Sequence, residues 1–328
     1  MAGFDGIIGY ESLVSQLKKV IYQKKLAQTY LLCGPQGSGK KMLAGAIAQT
    51  LLCEAGGENA CGVCKSCRQA QSGNHPDIRY VVREKATLGV KEIREQVVAD
   101  VQIKPYSAKY KVYLISEAGK MTEEAQNALL KTIEEPPEYA VFLLMTEERE
   151  RLLPTILSRC VTIALPTVAT ADIKKYLMEQ KAVPDYLAES AAVFSAGAVG
   201  KAIDYAESEE FAALRSDVLR LVKSCDSMSM TELITSARQF AAQKEKVPDV
   251  CAMLAVWYRD VCVYKAVKSR ENLMFREELT VIREQAEKKS MEKLQGIFDR
   301  LERVREQMQA NVNLENVLEL LFLYMKED

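Results

Sequence analysis

The chain has 328 residues with 44 basic against 45 acidic side chains, a balance that excludes coating nucleic acid by net charge but leaves a local basic face open. No apolar run approaches the roughly 20 residues needed to cross a bilayer, and the opening Met1-Ala2-Gly3-Phe4-Asp5-Gly6 has no basic region followed by an apolar stretch. A cytoplasmic protein of two or three domains is expected.

The first half alternates strand and helix. Apolar, branched runs at Thr29 to Cys33, Ile78 to Val82, Val112 to Ser116, Val141 to Thr146 and Val161 to Leu165 predict buried strands, because they lack polar alternation. After the first run comes Gly34-Pro35-Gln36-Gly37-Ser38-Gly39-Lys40-Lys41, and then Met42, Leu43, Ile47 and Leu51 at helical spacing. Strand, Gly-rich turn and helix is the arrangement of a phosphate-binding loop, in which backbone N–H groups wrap phosphates, a Lys adds a point charge and a Ser or Thr hydroxyl holds magnesium. Gly34, Gly37, Gly39 and Lys40 are in place, but Lys41 stands where the hydroxyl belongs. The loop is therefore a candidate ATP or phosphate site; the alternative is that its glycines serve only the strand-to-helix turn.

Four cysteines follow within fifteen residues, Cys53 and then Cys61-Gly62-Val63-Cys64-Lys65-Ser66-Cys67, spaced C-x7-C-x2-C-x2-C. In a reducing compartment such a cluster reads as metal ligands rather than a disulfide framework. Thiolates two residues apart can both reach a tetrahedral ion, and four of them close the shell of a structural zinc; the alternative is four free thiols. Cys33, Cys160, Cys225, Cys251 and Cys262 lie among apolar residues and read as small core side chains. His75, the single histidine, is expected to make a structural hydrogen bond rather than to catalyse.

Val90, Ile93, Val97 and Val101 share one helical face that Pro105 ends, and Thr122 is an N-cap for a helix stopped by Pro136 and Pro137. Strands separated by helices imply a parallel sheet covered on both faces. Beyond Pro166 the strand signal ends. Residues 170–206 read as a few short helices, and from Ser208 long amphipathic stretches such as Leu294, Ile297, Leu301, Val304 and Met308 predict an all-helical module. In it, Trp257, Val261 and Tyr264 form a stripe that reads as packing. Lys91, Arg94 and Lys104 could touch DNA phosphates or form a solvated face.

A phosphate-loop helix running into a four-Cys insert, then His75-Pro76-Asp77, resembles the bacterial DNA polymerase III clamp-loader subunits of the AAA+ family. Lys111 to Met121, Asn127 to Pro137, the Ser158-Arg159-Cys160 segment and Asn311 to Leu320 are similar to that family's acidic motif, following helix, Ser-Arg-Cys motif and closing collar helix. The resemblance implies an α/β P-loop (AAA+) parallel-sheet domain with a zinc insert over residues 1–166, a helical lid over 167–207 and an all-α collar over 208–328. It implies a pentameric ring with gamma/tau and delta-like subunits that places a sliding clamp on primed DNA. Phe4, Ile7, Ile8 and Gly9 resemble the segment around adenine, and an apolar segment packed on the sheet would look the same.

Departures from the pattern single out a branch. The family's ATPases begin the acidic motif with an Asp that supports magnesium and continue with a Glu that orients water; here Ser116 replaces the Asp and Glu117 is kept. Lys41 and Ser116 together remove both protein groups that would hold the metal. Lys201, in Gly197-Ala198-Val199-Gly200-Lys201, replaces a nucleotide-sensing Arg and lacks its bidentate fork. The pattern is that of a non-hydrolysing stator, with an active gamma/tau-like motor as the alternative. Arg159 corresponds to the Arg that the family projects into a neighbour's ATP site; otherwise it is an Arg in a surface ion pair. A more distant possibility, a zinc-containing DNA-binding regulator, would require a recognition module that the chain does not display.

Overall fold

The computed structural model describes residues 3–309 and 313–326; of the segment likened to a collar helix, Asn311 and Val312 lie outside the described residues. The first half forms five parallel strands, β1 (Thr29–Cys33), β2 (Ile78–Val81), β3 (Lys111–Ile115), β4 (Ala140–Thr146) and β5 (Val161–Ala164), in the order β2-β3-β4-β1-β5. Around them run α1 (Glu11–Tyr22), α2 (Lys40–Leu51), α3 (Lys65–Gln71), α4 (Val90–Ile93), α5 (Glu123–Glu134) and α6 (Pro154–Leu157). Parallel pairing requires a crossover between neighbours, which these helices supply. The α/β class expected from the sequence, a parallel sheet with a Gly-rich turn after its first strand, is what forms.

Burial follows position in the sheet. The inner strands β1, β3 and β4 are buried nearly throughout, as continuous branched runs require when helices cover both faces. The edge strands differ from the expectation of buried runs: Arg79 and Tyr80 on β2, and Val161, Thr162 and Ala164 on β5, are exposed. An edge strand has a neighbour on one side only, so an apolar run by itself overstates its burial. One face of the sheet packs Leu31, Tyr113, Ile115, Phe142 and Leu144 against Ile93, Val97, Val101, Leu129 and Ile133.

The predicted Val90 to Val101 helix is one α-turn, then a wider-turned stretch over Arg94–Ala99 and a tight turn over Asp100–Gln102. Ile93, Val97 and Val101 are spaced by four, and a regular α-helix would rotate each about 40° from the last. The wider turn keeps all three at 0–1 % exposure. Thr122 caps α5 as expected, its Oγ1 accepting from Ala125 N at 3.3 Å.

From Thr170 onward the described residues are helices and turns: α7 (Thr170–Lys181), α8 (Asp185–Phe194), α9 (Val199–Glu207), α10 (Glu209–Ser224), α11 (Met230–Ala242), α12 (Val247–Val267), α13 (Leu279–Lys288), α14 (Met291–Gln309) and α15 (Leu314–Lys326). Two compact units result. One reaches from the start to Ile173 and includes Ala196–Lys201; the other holds Lys174–Ser195 and the residues from Ala202 on. In the second, Trp257 and Val261 are fully buried and Trp257 donates through Nε1 to Gln285 at 2.8 Å, as packing requires, while Tyr264, the last member of the stripe, is only half-buried. Among the described residues no helix is long and apolar enough to cross a membrane.

Candidate functional site

The Gly-rich turn sits at the carboxyl end of β1, between β4 and β5, where Gly34 N donates to Thr146 O at 3.2 Å and Leu165 N to Cys33 O at 2.7 Å. Open α/β sheets present their ligand crevices at such strand ends. Here neighbouring backbone crowds the turn. A Cβ on Gly34 would lie 2.7 Å from Leu165 O, and one on Gly37, whose φ is +77°, 3.0 Å from Lys201 N. Gly200 N donates to Gly37 O at 2.9 Å, tying the start of α9 to the loop. Lys40 Nζ turns back onto the loop's own carbonyls, donating to Gly34 O at 2.5 Å and Pro35 O at 2.8 Å. Burial lowers its pKa. Lys41 is exposed.

The residues thus account for a joint between turn, sheet and α9, and they fit a magnesium nucleotide poorly. Positions 41 and 116 carry an ammonium and a short hydroxyl, where magnesium favours oxygen ligands anchored by carboxylate. The N-terminal segment also has structural work. Tyr10 Oη donates to Pro166 O at 2.7 Å, Phe4 is buried, and a Cβ on Gly9 would meet Val168 at 2.5 Å.

Glu117 is engaged on both oxygens. Lys120 Nζ donates to Oε1 at 2.7 Å and Arg83 Nε to Oε2 at 2.5 Å, and these two cations, Lys120 foremost, hold its carboxyl below the usual range. Arg83 is fixed in turn by Nη1 bonds to Lys85 O and Ala86 O, each 2.9 Å. Sequence reading missed Arg83, because what brings it to Glu117 is strand register: β2 pairs Val81 with Ile115, and continuing that register sets residue 83 beside residue 117.

Arg159 follows α6 on the surface of the sheet unit, its side chain 37 % exposed, paired with Glu134 at 2.7 Å. It lies on a different element from Glu117 and the Gly-rich turn. Lys91, Arg94 and Lys104 are all exposed, and Lys91 has an acidic partner, Glu95, at 4.0 Å.

The sulfurs of Cys53, Cys61, Cys64 and Cys67 all lie within 4.8 Å of one another, with Cys61 and Cys67 3.9 Å apart. A zinc ion with four thiolates at about 2.3 Å sets its sulfurs about 3.8 Å apart, so the four can hold one. Backbone N–H groups already point at the sulfurs: Cys61 N to Cys53 Sγ at 3.4 Å, Cys64 N to Cys61 Sγ at 3.4 Å and Cys67 N to Cys64 Sγ at 3.3 Å. Amides of Val63 and Cys64 bring the Cys61 thiol down to about 6, whereas burial pushes that of Cys67 up.

His75 ties this insert to the sheet. Its Nδ1 accepts from Asp77 N at 3.0 Å, and its Nε2 lies 2.9 Å from Ser66 Oγ, which itself donates to Leu52 O at 2.6 Å. With Nδ1 accepting and the Ser66 proton committed, Nε2 carries the ring's hydrogen. Burial lowers the ring's pKa, in keeping with the expected structural role. Burial also raises the pKa of Asp77, but amides of Tyr106, Ser107 and Ala108 outweigh it and hold the carboxyl below the usual range.

Family models described as "DNA polymerase III, delta subunit" and "DNA polymerase III, delta subunit, C terminal" match residues 9–169 and 209–326. The DNA polymerase III subunit delta' of Bacillus subtilis (strain 168) is 28% identical over 323 residues, covering 96% of this chain and 97% of that protein. Its counterpart in Pseudomonas aeruginosa is 31% identical over 295 residues, covering 89% of each. In fold, the chain is similar to a DNA polymerase III gamma subunit-related protein of Thermotoga maritima, with TM-score 0.50, 17% identity, and coverage of 95% of this chain and 98% of that one. By its matched halves and its end-to-end likeness to these delta' proteins, the chain belongs to the DNA polymerase III delta-prime subunit family.

Proposed function

We infer that the chain is the stator of a clamp loader: a subunit that assembles with gamma/tau and delta-like partners, does not itself hydrolyse ATP, and helps place a sliding clamp on primed DNA. In this reading residues 1–166 form the nucleotide-binding-like domain, 167–207 a lid and 208–328 the collar. Zinc held by Cys53, Cys61, Cys64 and Cys67 stiffens the insert, and Arg159 acts in trans on a neighbour's nucleotide.

The observation that carries the non-hydrolysing assignment is the engagement of Glu117 by Arg83 and Lys120. A carboxylate that orients water must turn a lone pair to that water, and Glu117 is instead drawn into a charged pair on each oxygen, with Lys120 on Oε1 and with an Arg83 itself anchored to Lys85 O and Ala86 O on Oε2. Lys41 and Ser116 support the same conclusion and weigh against the gamma/tau-like motor. Arg159 stands apart from these residues. It is exposed on its own element, so the chain can forgo catalysis and still offer a guanidinium to a partner, where such a group is worth about 10³ to 10⁵ in turnover.

The test is the clamp- and DNA-stimulated ATPase of the reconstituted loader. A silent lone chain, and a loss of tenfold or more on Arg159→Ala in the complex, support the stator. Turnover by the lone chain, with no effect of Arg159→Ala, would make it a motor.

A further inference from the structure

Glu134 and Glu135 close α5, at the end where the helix dipole is negative and disfavours carboxylates. Glu134 has the wrong charge for its place, and Arg159 compensates it. Arg159 Nη2 pairs with Glu134 Oε1 at 2.7 Å, while Nη1 donates to Thr155 O at 2.9 Å and Ser158 Oγ at 3.1 Å. Those acceptors occupy three of the five guanidinium N–H groups and leave two for another anion.

Stability does not explain the pair, since its partners are 37 % and 42 % exposed and ion pairs so wet contribute little. What three acceptors achieve is one orientation for a long, flexible side chain. Their two supports are also joined rigidly: Gln126 of α5 accepts from Leu153 N at 2.7 Å and donates to Arg151 O at 3.1 Å, just ahead of α6.

We propose that Glu134 is a positioning residue, holding the Arg159 guanidinium in a fixed orientation at the subunit surface so that it meets a partner's phosphate already ordered. This rests on the trans-acting reading of Arg159. A pre-oriented donor loses less freedom when charge develops on the transferring phosphoryl group, so the gain falls on the transition state rather than on nucleotide binding.

The experiment is the stimulated ATPase of the reconstituted loader carrying Glu134→Ala, Glu134→Gln, Arg159→Ala or the double Ala variant. Glu134→Ala should lower kcat by about three- to tenfold with KM for ATP unchanged within about twofold. Glu134→Gln, which still accepts a hydrogen bond, should fall between it and wild type. In the Arg159→Ala background, Glu134→Ala should cost nothing more, because the group it orients is gone. If Arg159→Ala leaves turnover unchanged, the trans-acting reading falls and the positioning role with it. If Arg159→Ala slows turnover but Glu134→Ala leaves kcat intact, raises it, or adds its own loss in the double variant, the positioning role alone is overturned.

Discussion

Replacing His75 with Gln tests the neutral tautomer on which the insert's attachment depends. Gln can bring its amide near the place of Nε2 and keep a donor for Ser66 Oγ, but it has no atom at Nδ1, so the buried Asp77 N–H loses its acceptor. Leaving such a donor unpaired costs about 1–3 kcal/mol. The pH dependence is more diagnostic. With its folded pKa lowered by burial, His75 contributes stability that is present above its unfolded value near 6.5 and is lost as pH falls below it, because only the unfolded ring takes up the proton. One pH unit below that value, the wild-type advantage over His75→Gln shrinks by up to about 1.4 kcal/mol. Cysteine thiolates released from zinc also take up protons on unfolding, but they do so equally in both proteins and cancel in the difference. Urea unfolding of the two proteins at pH 7.5 and 5.5 in zinc-buffered solution measures the gap. Because the chain has a single histidine, 15N-histidine labelling reads one ring and its tautomer directly. A gap that holds constant or widens at pH 5.5, or a ring protonated at Nδ1 at pH 7.5, would refute the argument.

Purified protein should carry one zinc per chain, and cobalt substitution should give the absorption of a tetrahedral four-thiolate site; chelation should unfold the insert locally, since structural zinc contributes about 10–16 kcal/mol in peptide sites. Absence of metal after growth in zinc, together with no cobalt spectrum, would leave four free thiols. In the helical unit, a Cβ on Gly296 would lie 2.1 Å from Tyr324 Oη, and that ring is flanked by Arg300 and Lys293 at 3.4 and 4.0 Å from its centroid. Gly296→Ala should therefore destabilise the protein by about 1–3 kcal/mol in thermal unfolding, against the ordinary helical preference for Ala, and adding Tyr324→Phe should recover part of the loss.

What could be read from the sequence was local. Five apolar runs located five strands to within a residue or so at each end, because continuous branched residues have few alternatives to a strand between helices. The cysteine spacing alone predicted a cluster that the fold closes to 4.8 Å or less. Edge status was not legible, since Val161 to Leu165 looks as apolar as Val141 to Thr146 although only the latter lies inside the sheet. Pairs such as Arg83 with Glu117, separated by 34 residues, become visible only once strand register is known. The same is true of Glu134, whose charge at a helix end looks like an error until Arg159 is placed beside it.

The division between what is kept and what is replaced also explains how a phosphate loop can outlast its metal. Gly34 and Gly37 are fixed by backbone contact with Leu165 and Lys201, so side chains there would disturb the joints to β5 and α9. Lys41 is exposed, and Ser116 lies just beyond the buried end of β3, so exchanging a hydroxyl or a carboxylate at those two places leaves the core untouched. The metal ligands are therefore the least costly part of such a site to lose, and packing alone is enough to keep the turn's shape. A loop retained for shape is poor evidence of an ATPase, whereas an exposed guanidinium oriented by three acceptors, one of them a carboxylate ill-suited to its own helix end, calls for an explanation outside the subunit's own stability.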